Sequence, residues 1–229
     1  MKIGLLGFGT VGNGTYDILQ QVKSQQLEGI EVKRILDIAI RPGYEDIMTT
    51  SLDDILNDSE IETVVEVIGG IHPAYEFISA AMDAKKNVVS VNKQLIAHKY
   101  KELAAKAAQN GIEFRFSASV GGGIPWLHNL SRTKRADDIL SICGIMNGTT
   151  NYILYNMERK DIEFADALKQ AQELGYAEAN PSADIDGLDA QHKCAISANI
   201  AFNVIIDEAE MDIEGIRHIT KADILYFKE

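Results

Sequence analysis

The amino-acid sequence predicts an α/β protein: a doubly wound parallel sheet at the amino end, followed by a smaller α+β domain. Short apolar runs alternate with helix-length segments up to about residue 118. Such alternation is typical of βαβ units, whose crossovers are right-handed. Three glycines and a proline at 121–125 cannot continue either element, so a boundary is expected there. We therefore expect two domains, at residues 1–125 and 126–229.

The elements of the first domain follow from local patterns. Apolar runs predict strands at 2–6, 32–40, 63–68, 87–91 and 112–118. The runs at 63–68 and 87–91 are typical of strands buried on both faces. The segments between the predicted strands predict helices, at 10 to about 27, 51–56, 73–84 and 97–109. Ser51 is a favourable N-cap, and Pro73 fits the first turn of a helix. Gly111 is expected to end the last of these helices.

The second domain is predicted to mix strand and helix. The apolar run 139–146 predicts a strand. Helices are expected after Thr149, at 164–174 and at 188–202, with a polar loop at 175–184.

Charge and composition exclude several classes of protein. The 34 acidic and 22 basic residues give a net charge of −12, which argues against nucleic acid or an anionic membrane as the main partner. No apolar stretch approaches the ~20 residues of a membrane span. The first residues become glycine-rich too soon for a signal peptide. Cys143 and Cys194 lie in apolar surroundings without metal-ligand spacing, which predicts buried thiols in a reducing, cytoplasmic compartment.

The turn after the first strand has the sequence Gly7-Phe8-Gly9-Thr10-Val11-Gly12. Gly7 permits a tight turn, Gly9 lets the backbone approach a pyrophosphate, and Gly12 lets helix and strand pack closely. The pyrophosphate would lie at the positive end of the following helix. In its strand–turn–helix context, the motif predicts a nicotinamide or flavin dinucleotide site of the Rossmann type. Three purely structural glycines are the alternative.

The end of the second strand is expected to select between NAD and NADP. An acidic residue there binds the ribose 2′-hydroxyl, whereas an arginine favours a 2′-phosphate. Asp37 is expected to be buried in mid-strand, with Arg41 at the tip. The sequence therefore predicts a preference for NADP(H) over NAD(H). The alternative is that Arg41 is a solvated surface cation.

Two charged residues lie on the predicted apolar helix near the carboxyl end. Asp189 and Lys193 are four residues apart and share a face. An exposed pair at this spacing contributes only about 0.2–0.5 kcal/mol, whereas one inside an apolar helix needs a partner or a function. With Glu178, Asp184 and Asp186 upstream, carboxylates would bind the ammonium of a zwitterionic substrate, and the lysine would face its reacting oxygen. A structural ion pair and simple surface solvation are the alternatives.

Two further segments are placed to bind ligands. Lys93 directly follows the strand at 87–91, and open parallel sheets bind ligands beyond the carboxyl ends of their strands. Asn147-Gly148-Thr149-Thr150 follows the predicted strand at 139–146 and opens a helix, whose N–H groups suit an anion. The five histidines show no ligand spacing, and His192 is interpreted as structural.

Taken together, these motifs resemble the homoserine dehydrogenase family. The resemblance covers essentially the whole chain and rests on five segments, at 7–12, 91–93, 119–125, 147–152 and 175–193. The family reversibly reduces L-aspartate 4-semialdehyde to L-homoserine with NAD(P)H, on the route to threonine and methionine. The resemblance also implies a homodimer in which the second domains pair across a two-fold axis.

The resemblance assigns roles to individual residues. Lys193 would be the proton donor, and Lys93 would line the site between nicotinamide and substrate. Glu178 and Asp189 would bind the amino acid, with Asp184, Tyr176 and Thr149 close by. From the residues and the resemblance together, the expected cofactor-binding residues are Gly7, Phe8, Gly9, Thr10, Val11, Gly12, Arg41, Lys93 and Gly148. Arg41 is included for its place at the tip of the second strand.

A monovalent-cation site is implied as well. The backbone carbonyls of Val120, Gly122 and Ile124 would hold sodium, for which main-chain oxygens are suitable hard ligands. Ser117 stands where the family usually carries glutamate, which implies a weaker cation site.

Two other functions are consistent with the glycine-rich turn. Another dehydrogenase of amino-acid semialdehydes would share that turn but has no reason to carry Glu178, Asp189 and Lys193 together. A catalytically idle nucleotide-binding module, acting as a sensor or interaction subunit, is the second. Family members continue past the segment at 219–224, so the resemblance implies a shortened catalytic domain.

Overall fold

The computed structural model describes residues 1–22 and 24–227, and the chain divides into two compact units, Met1–Asn129 and Leu130–Glu229. The strands are β1 (Lys2–Leu6), β2 (Glu31–Leu36), β3 (Met48–Thr49), β4 (Ile61–Glu66), β5 (Asn87–Ser90) and β6 (Phe114–Arg115). They form one sheet in the order β3-β2-β1-β4-β5-β6, and every neighbouring pair is parallel. This order belongs to doubly wound nucleotide-binding folds. The predicted α/β fold class is therefore confirmed.

Four of the described α-helices of the first unit lie between its strands, and a fifth follows β6. They are α1 (Thr10–Gln21), α2 (Asp53–Leu56), α3 (Ala74–Asp83), α4 (Lys93–Asn110) and α5 (Trp126–Thr133), the last of which contains the division between the units. Helix α4 begins earlier than the sequence predicts because Asn92 caps it: the Asn92 side chain accepts a hydrogen bond from the Leu95 N–H at 3.1 Å. Gly111 ends α4 in the left-handed conformation, as expected.

Apolar side chains cover both faces of the sheet. Leu6 belongs to one core cluster, whereas Ile3 and Leu5 belong to the other, because successive side chains of a strand point to opposite faces. Burial on both faces accounts for the nearly continuous apolar runs in the sequence. The strand order reverses at β1 and β4, and ligands bind at such a point in open α/β sheets.

The described part of the second unit is helical. Its helices are α6 (Gly148–Lys160), α7 (Phe164–Glu173), α8 (Ser182–Ile185), α9 (Leu188–Phe202) and α10 (Lys221–Tyr226). A separate core joins α6, α7 and α8 through buried residues that include Ile153, Ala167 and Ile185. Helices α7 and α9 lie where the sequence predicts them.

The strand predicted at 139–146 is wrong, because these residues have no regular secondary structure. Leu140 and Ile145 are 90% and 80% exposed. A strand requires a neighbouring strand for its backbone N–H and C=O groups. Within the described residues of this unit no such neighbour exists, so an apolar run alone does not produce a strand.

The prediction of buried thiols is also wrong, since Cys143 and Cys194 are both free and exposed. Cys143 lies in the exposed segment at 139–146. Cys194 shares an exposed face of α9 with Ala190, one turn earlier. Apolar neighbours in sequence do not bury a residue that faces outward from its helix. Among the described residues, no helix has the length and apolar character needed to cross a membrane.

Candidate functional site

The glycine-rich turn between β1 and α1 has the geometry of a phosphate-binding loop. Gly7 adopts a φ of +99°, which side-chain-bearing residues rarely adopt. A Cβ at Gly12 would lie 2.2 Å from the Gly7 carbonyl oxygen, so only glycine fits against the turn. Gly9 is exposed at the N-cap of α1, and a Cβ there would meet no atom within 4 Å. The residues therefore fit a pyrophosphate approaching the N-terminus of α1.

The side chain of Phe8 packs this turn against the protein core. Its fully buried ring packs edge-on against Tyr16 and Tyr44, with centroids at 5.8 and 5.0 Å. The Arg41 guanidinium lies over the same ring, 4.9 Å from its centroid. Arg41 therefore lies beside the glycine-rich turn, although it is beyond the end of β2.

The mid-strand placement of Asp37 is wrong, because β2 ends at Leu36. The Asp37 carboxylate accepts hydrogen bonds from the Phe8 N–H at 2.8 Å and the Ile38 N–H at 2.7 Å. The bond from Ile38 is a local side-chain-to-backbone bond, of the kind that competes with strand pairing. Asp37 is therefore an acid at the end of the second strand, and its Oδ2 lies 3.9 Å from the Arg41 Nη2.

Lys93 is the first residue of α4, at the carboxyl end of β5, as its position in the sequence predicts. Its side chain is half-buried. The residue before it, Asn92, is buried and serves as the N-cap. Lys93 therefore lies on the sheet edge where nucleotide cofactors bind.

The predicted cation loop follows β6 and a short 3₁₀ turn at Ser117–Ser119. Gly121 and Gly122 both have positive φ, at +86° and +57°, so two consecutive glycines shape the loop. The Ile124 carbonyl, one of the three predicted sodium ligands, accepts a hydrogen bond from the Trp126 N–H at 2.7 Å. Ser117 is exposed and offers a hydroxyl rather than a carboxylate.

In the second unit, α9 holds Asp189 and Lys193 in a direct ion pair. The Lys193 Nζ donates to the Asp189 Oδ2 at 2.7 Å and to the Met146 carbonyl at 2.7 Å. The Asp189 side chain is 3% exposed and that of Lys193 is 18% exposed. The pair is thus largely removed from water, unlike an ordinary surface ion pair.

Asn147 joins this pair to a second carboxylate, and sequence reasoning did not single out its side chain. Its Nδ2 donates to the Asp184 Oδ1 at 2.6 Å and to the Asp189 Oδ2 at 2.7 Å. Its Oδ1 accepts from the Thr150 N–H at 2.8 Å and so caps α6. An Asn immediately before a helix start was the available signal. Its carboxylate partners lie more than thirty residues away in the sequence, so no local sequence pattern indicates them.

The other predicted substrate residues are arranged around this group. Thr149 is buried and donates its hydroxyl to the Tyr176 carbonyl at 2.6 Å. The Tyr176 ring stacks on Tyr152 with centroids at 4.7 Å. Gly148 is the first residue of α6. Glu178 is exposed, and its side chain is not among the hydrogen-bonded groups of this cluster in the described residues.

Asp186 does not join the cluster. It forms a bidentate, partly exposed ion pair with Arg217, at 2.8 Å from both Nε and Nη2. The Arg217 hydrogen bond lowers the pKa of Asp186 from its ordinary value. His192 is buried, with its Nε2 at 3.4 Å from Glu208.

Comparison with known proteins bears on both units. A family model described as "Homoserine dehydrogenase, NAD binding domain" matches residues 7–117, and one described as "Homoserine dehydrogenase" matches residues 125–229. The chain belongs to the homoserine dehydrogenase family. The predicted resemblance is therefore confirmed.

Relatives and solved structures of homoserine dehydrogenases agree with this. The chain is 45% identical to the homoserine dehydrogenase of Synechocystis and 38% identical to that of Bacillus subtilis, covering 99% and 100% of this chain but 54% and 55% of those proteins. The crystal structure of a homoserine dehydrogenase from Thiobacillus denitrificans matches with a TM-score of 0.92 at 39% identity, over 100% of this chain and 55% of that one. A hyperthermophilic archaeal homoserine dehydrogenase in complex with NADPH matches with a TM-score of 0.82 at 26% identity, over 95% and 74% of the two chains. The chain thus spans about half the length of the curated relatives it matches.

Proposed function

We propose that the protein acts as a homoserine dehydrogenase, reversibly reducing L-aspartate 4-semialdehyde to L-homoserine with a nicotinamide dinucleotide. The observation that carries this proposal is the sequestered Asp189–Lys193 pair, held to Asp184 through Asn147. Family membership supplies the reaction, and the glycine-rich turn fits the cofactor. When bound, the dinucleotide would supply a hydride to the aldehyde carbon, and residues of this chain would supply the proton to the carbonyl oxygen.

Lys193 is the proposed proton donor. Its Nζ lies 2.7 Å from both the Asp189 Oδ2 and the Met146 carbonyl, which fixes the direction in which the ammonium points. The oxygen of the substrate becomes an alkoxide as the carbon is reduced, and a positive donor within about 3 Å stabilises it. Lys93 is the rival donor, because it begins α4 at the cofactor edge of the sheet.

The carboxylates are proposed to bind the ammonium of the amino acid. Asp184 and Asp189 share the Asn147 amide, which holds two negative groups side by side. Glu178 is exposed and therefore accessible to a substrate. Thr149, Tyr176 and the N-terminus of α6 complete the proposed substrate set, with the helix end favouring an anion such as the α-carboxylate.

We propose NADP(H) over NAD(H), with Arg41 binding the 2′-phosphate. Its position over Phe8, beside the glycine-rich turn, supports this role. Asp37 acts against it, since an acid at the end of the second strand binds a 2′-hydroxyl and repels a phosphate. Arg41 lies 3.9 Å from Asp37 and partly compensates that charge. Asp37→Asn should therefore strengthen the preference for NADP(H), and NAD(H) binding better to the wild-type protein would contradict the proposal.

A sodium site at the carbonyls of Val120, Gly122 and Ile124 is proposed on the resemblance and on the glycine-shaped turn. Ser117 supplies no carboxylate, so binding is expected to be weak. The site is tested by measuring turnover while sodium or potassium is titrated. A site specific for sodium predicts different turnover with the two ions.

We propose a homodimer through the second domain, from about Trp126 onward, in a cytoplasmic protein. The exposed apolar segment at 139–146 supports the dimer, because Leu140 and Ile145 lie in contact with water in the single chain. Pairing with a second copy would cover them. Sedimentation velocity tests this, and a monomer at tens of micromolar would count against it.

The decisive assay is NADPH oxidation in the presence of L-aspartate 4-semialdehyde, followed by absorbance. Turnover that requires the semialdehyde supports the proposal. NADPH binding without turnover would favour the catalytically idle module. Turnover with a different amino-acid semialdehyde and none with this one would favour another dehydrogenase.

A further inference from the structure

Glu66 is a fully buried carboxylate at the carboxyl end of β4. β4 lies beside β1, where the strand order reverses and ligands bind in open parallel sheets. Burying a carboxylate is costly unless hydrogen bonds replace its water. In the sequence, Glu66 lies within the apolar run at 63–68 and shows no motif of its own.

Hydrogen-bond donors surround both carboxylate oxygens. The Oε1 accepts from the Ile68 N–H at 2.8 Å and the Gly69 N–H at 3.3 Å, in the loop that follows β4. The Oε2 accepts from the Ser90 hydroxyl at 2.6 Å, at the end of β5. Among the ion pairs of the described residues, none involves Glu66. Its partners are therefore the loops at the sheet edge.

One of these loops packs directly on the glycine-rich turn. A Cβ at Gly7 would lie 3.2 Å from the Ile68 Cα, and one at Gly12 would lie 3.3 Å from a Val67 methyl group. The backbone after β4 that Glu66 holds is thus in contact with the glycine-rich turn. If this backbone moves, the turn loses its packing on that side.

The other loop leads to the start of α4. The Asn92 N–H donates to the Ser90 hydroxyl at 3.2 Å, and the Asn92 Nδ2 donates to the Gly70 carbonyl at 2.5 Å. The same Nδ2 lies 3.4 Å from the Glu66 Oε1. Asn92 then caps α4, whose first residue is Lys93. Glu66 therefore connects the ends of β4 and β5 with the cap that precedes Lys93.

We propose that Glu66 is a positioning residue of the dinucleotide site: it aligns the loops after β4 and β5 with the glycine-rich turn, and so sets the affinity for the cofactor. This inference rests on the proposed cofactor role of that turn. It requires the acceptor geometry of the side chain rather than its charge. Glutamine retains one oxygen for the Ile68 and Gly69 N–H groups, and its amide donates to the Ser90 hydroxyl, which accepts as well as donates.

The test compares NADPH dissociation constants by calorimetry, and thermal midpoints, for four variants of the whole chain. We expect Glu66→Ala to raise the dissociation constant roughly tenfold to a hundredfold, the effect of losing hydrogen bonds to a charged acceptor. Glu66→Gln should restore most of the affinity, and Ser90→Ala should show an intermediate loss. The matched control is Asp58→Ala. Asp58 precedes β4 at the opposite end of the sheet, where it also accepts a backbone N–H and pairs with a lysine.

The outcomes separate a positioning role from a structural one. A lower thermal midpoint with an unchanged dissociation constant in Glu66→Ala, as expected for Asp58→Ala, would overturn the inference. If Glu66→Ala does not fold, Ser90→Ala decides, and unchanged affinity in that variant would overturn it equally. Wild-type protein that binds NADPH without reducing the semialdehyde contradicts the proposed function but leaves this comparison intact. Wild-type protein that binds no NADPH overturns both.

Discussion

Replacing Asn147 by alanine removes three hydrogen bonds from one buried side chain. The Asn147 side chain caps α6 and donates to the carboxylates of Asp184 and Asp189. Losing the cap costs about 1 kcal/mol. Losing a hydrogen bond to the buried Asp189 carboxylate costs about 1.5–3 kcal/mol. Asp184 is half-buried, so water replaces much of its lost bond. We therefore expect the free energy of unfolding to fall by about 2.5–4 kcal/mol.

A second substitution separates the cap from the donor role. Asn147→Asp keeps a good N-cap but places a third carboxylate against Asp184 and Asp189. We expect the free energy of unfolding of Asn147→Asp to be no higher than that of Asn147→Ala. If Asn147 acted only as an N-cap, Asn147→Asp would instead be nearly as stable as the wild type. Thr220→Ala is the matched control, because Thr220 caps the exposed helix α10 and its loss should cost only about 1 kcal/mol.

Urea unfolding followed by circular dichroism measures these differences. If Asn147→Ala loses no more stability than Thr220→Ala, the two carboxylate bonds contribute nothing net and the reasoning is refuted. Asn147→Ala and Asn147→Asp should also raise the KM for L-homoserine, because both remove the amide that donates to the Asp184 and Asp189 carboxylates. A KM unchanged in both variants would show that Asn147 does not orient the carboxylates for the substrate.

Three further predictions concern catalysis, cofactor choice and acid stability. Lys193→Arg and Lys193→Ala should both lower kcat by about 10²–10⁴, with cofactor affinity nearly unchanged, since arginine keeps the charge but does not release a proton. Steady-state kinetics check this, and normal turnover in Lys193→Arg but not in Lys93→Arg would move the donor role to Lys93. Arg41→Ala should weaken NADP(H) roughly tenfold relative to NAD(H), and an unchanged ratio of the two dissociation constants would contradict the role of Arg41. The Lys33 hydrogen bond, with the Glu60 N–H second, holds the pKa of Asp58 below its ordinary 3.8. The stability this bond confers is present above that ordinary value and is lost as pH falls through the lower pKa of the folded state. Lys33→Ala should therefore be less stable than wild type at neutral pH, and the difference should shrink below about pH 4 in denaturation at graded pH.

Much of the first unit was determined by local sequence. Residues 7–12 specify a turn that only glycine can form at two positions, because Gly7 has a positive φ and Gly12 abuts the Gly7 carbonyl. Alternating apolar runs predict the parallel sheet, since strands buried on both faces need apolar side chains throughout. The pair of Asp189 and Lys193 was also predictable, because residues four apart on a helix share a face whatever surrounds it.

Tertiary structure alone decided where strands end or fail to form. An aspartate inside an apolar run is predicted to lie in mid-strand. In the structure, the Asp37 carboxylate accepts a hydrogen bond from the Phe8 N–H, twenty-nine residues away in sequence, and β2 ends at Leu36. The apolar run at 139–146 has strand composition, yet a strand also needs a neighbour for its backbone. Strand propensity is a property of one segment, whereas a ladder of backbone hydrogen bonds requires two paired strands.

The partners of the polar site residues were likewise beyond the reach of the sequence. Asn147 meets Asp184 and Asp189 across 37 and 42 residues, and Glu66 meets Ser90 across 24. A hydrogen bond depends on distances of a few tenths of an ångström and on direction, which periodicity does not encode. The sequence by itself determined which elements carry the charged residues of the site. The packing of those elements decided which of the charges hold one another in place.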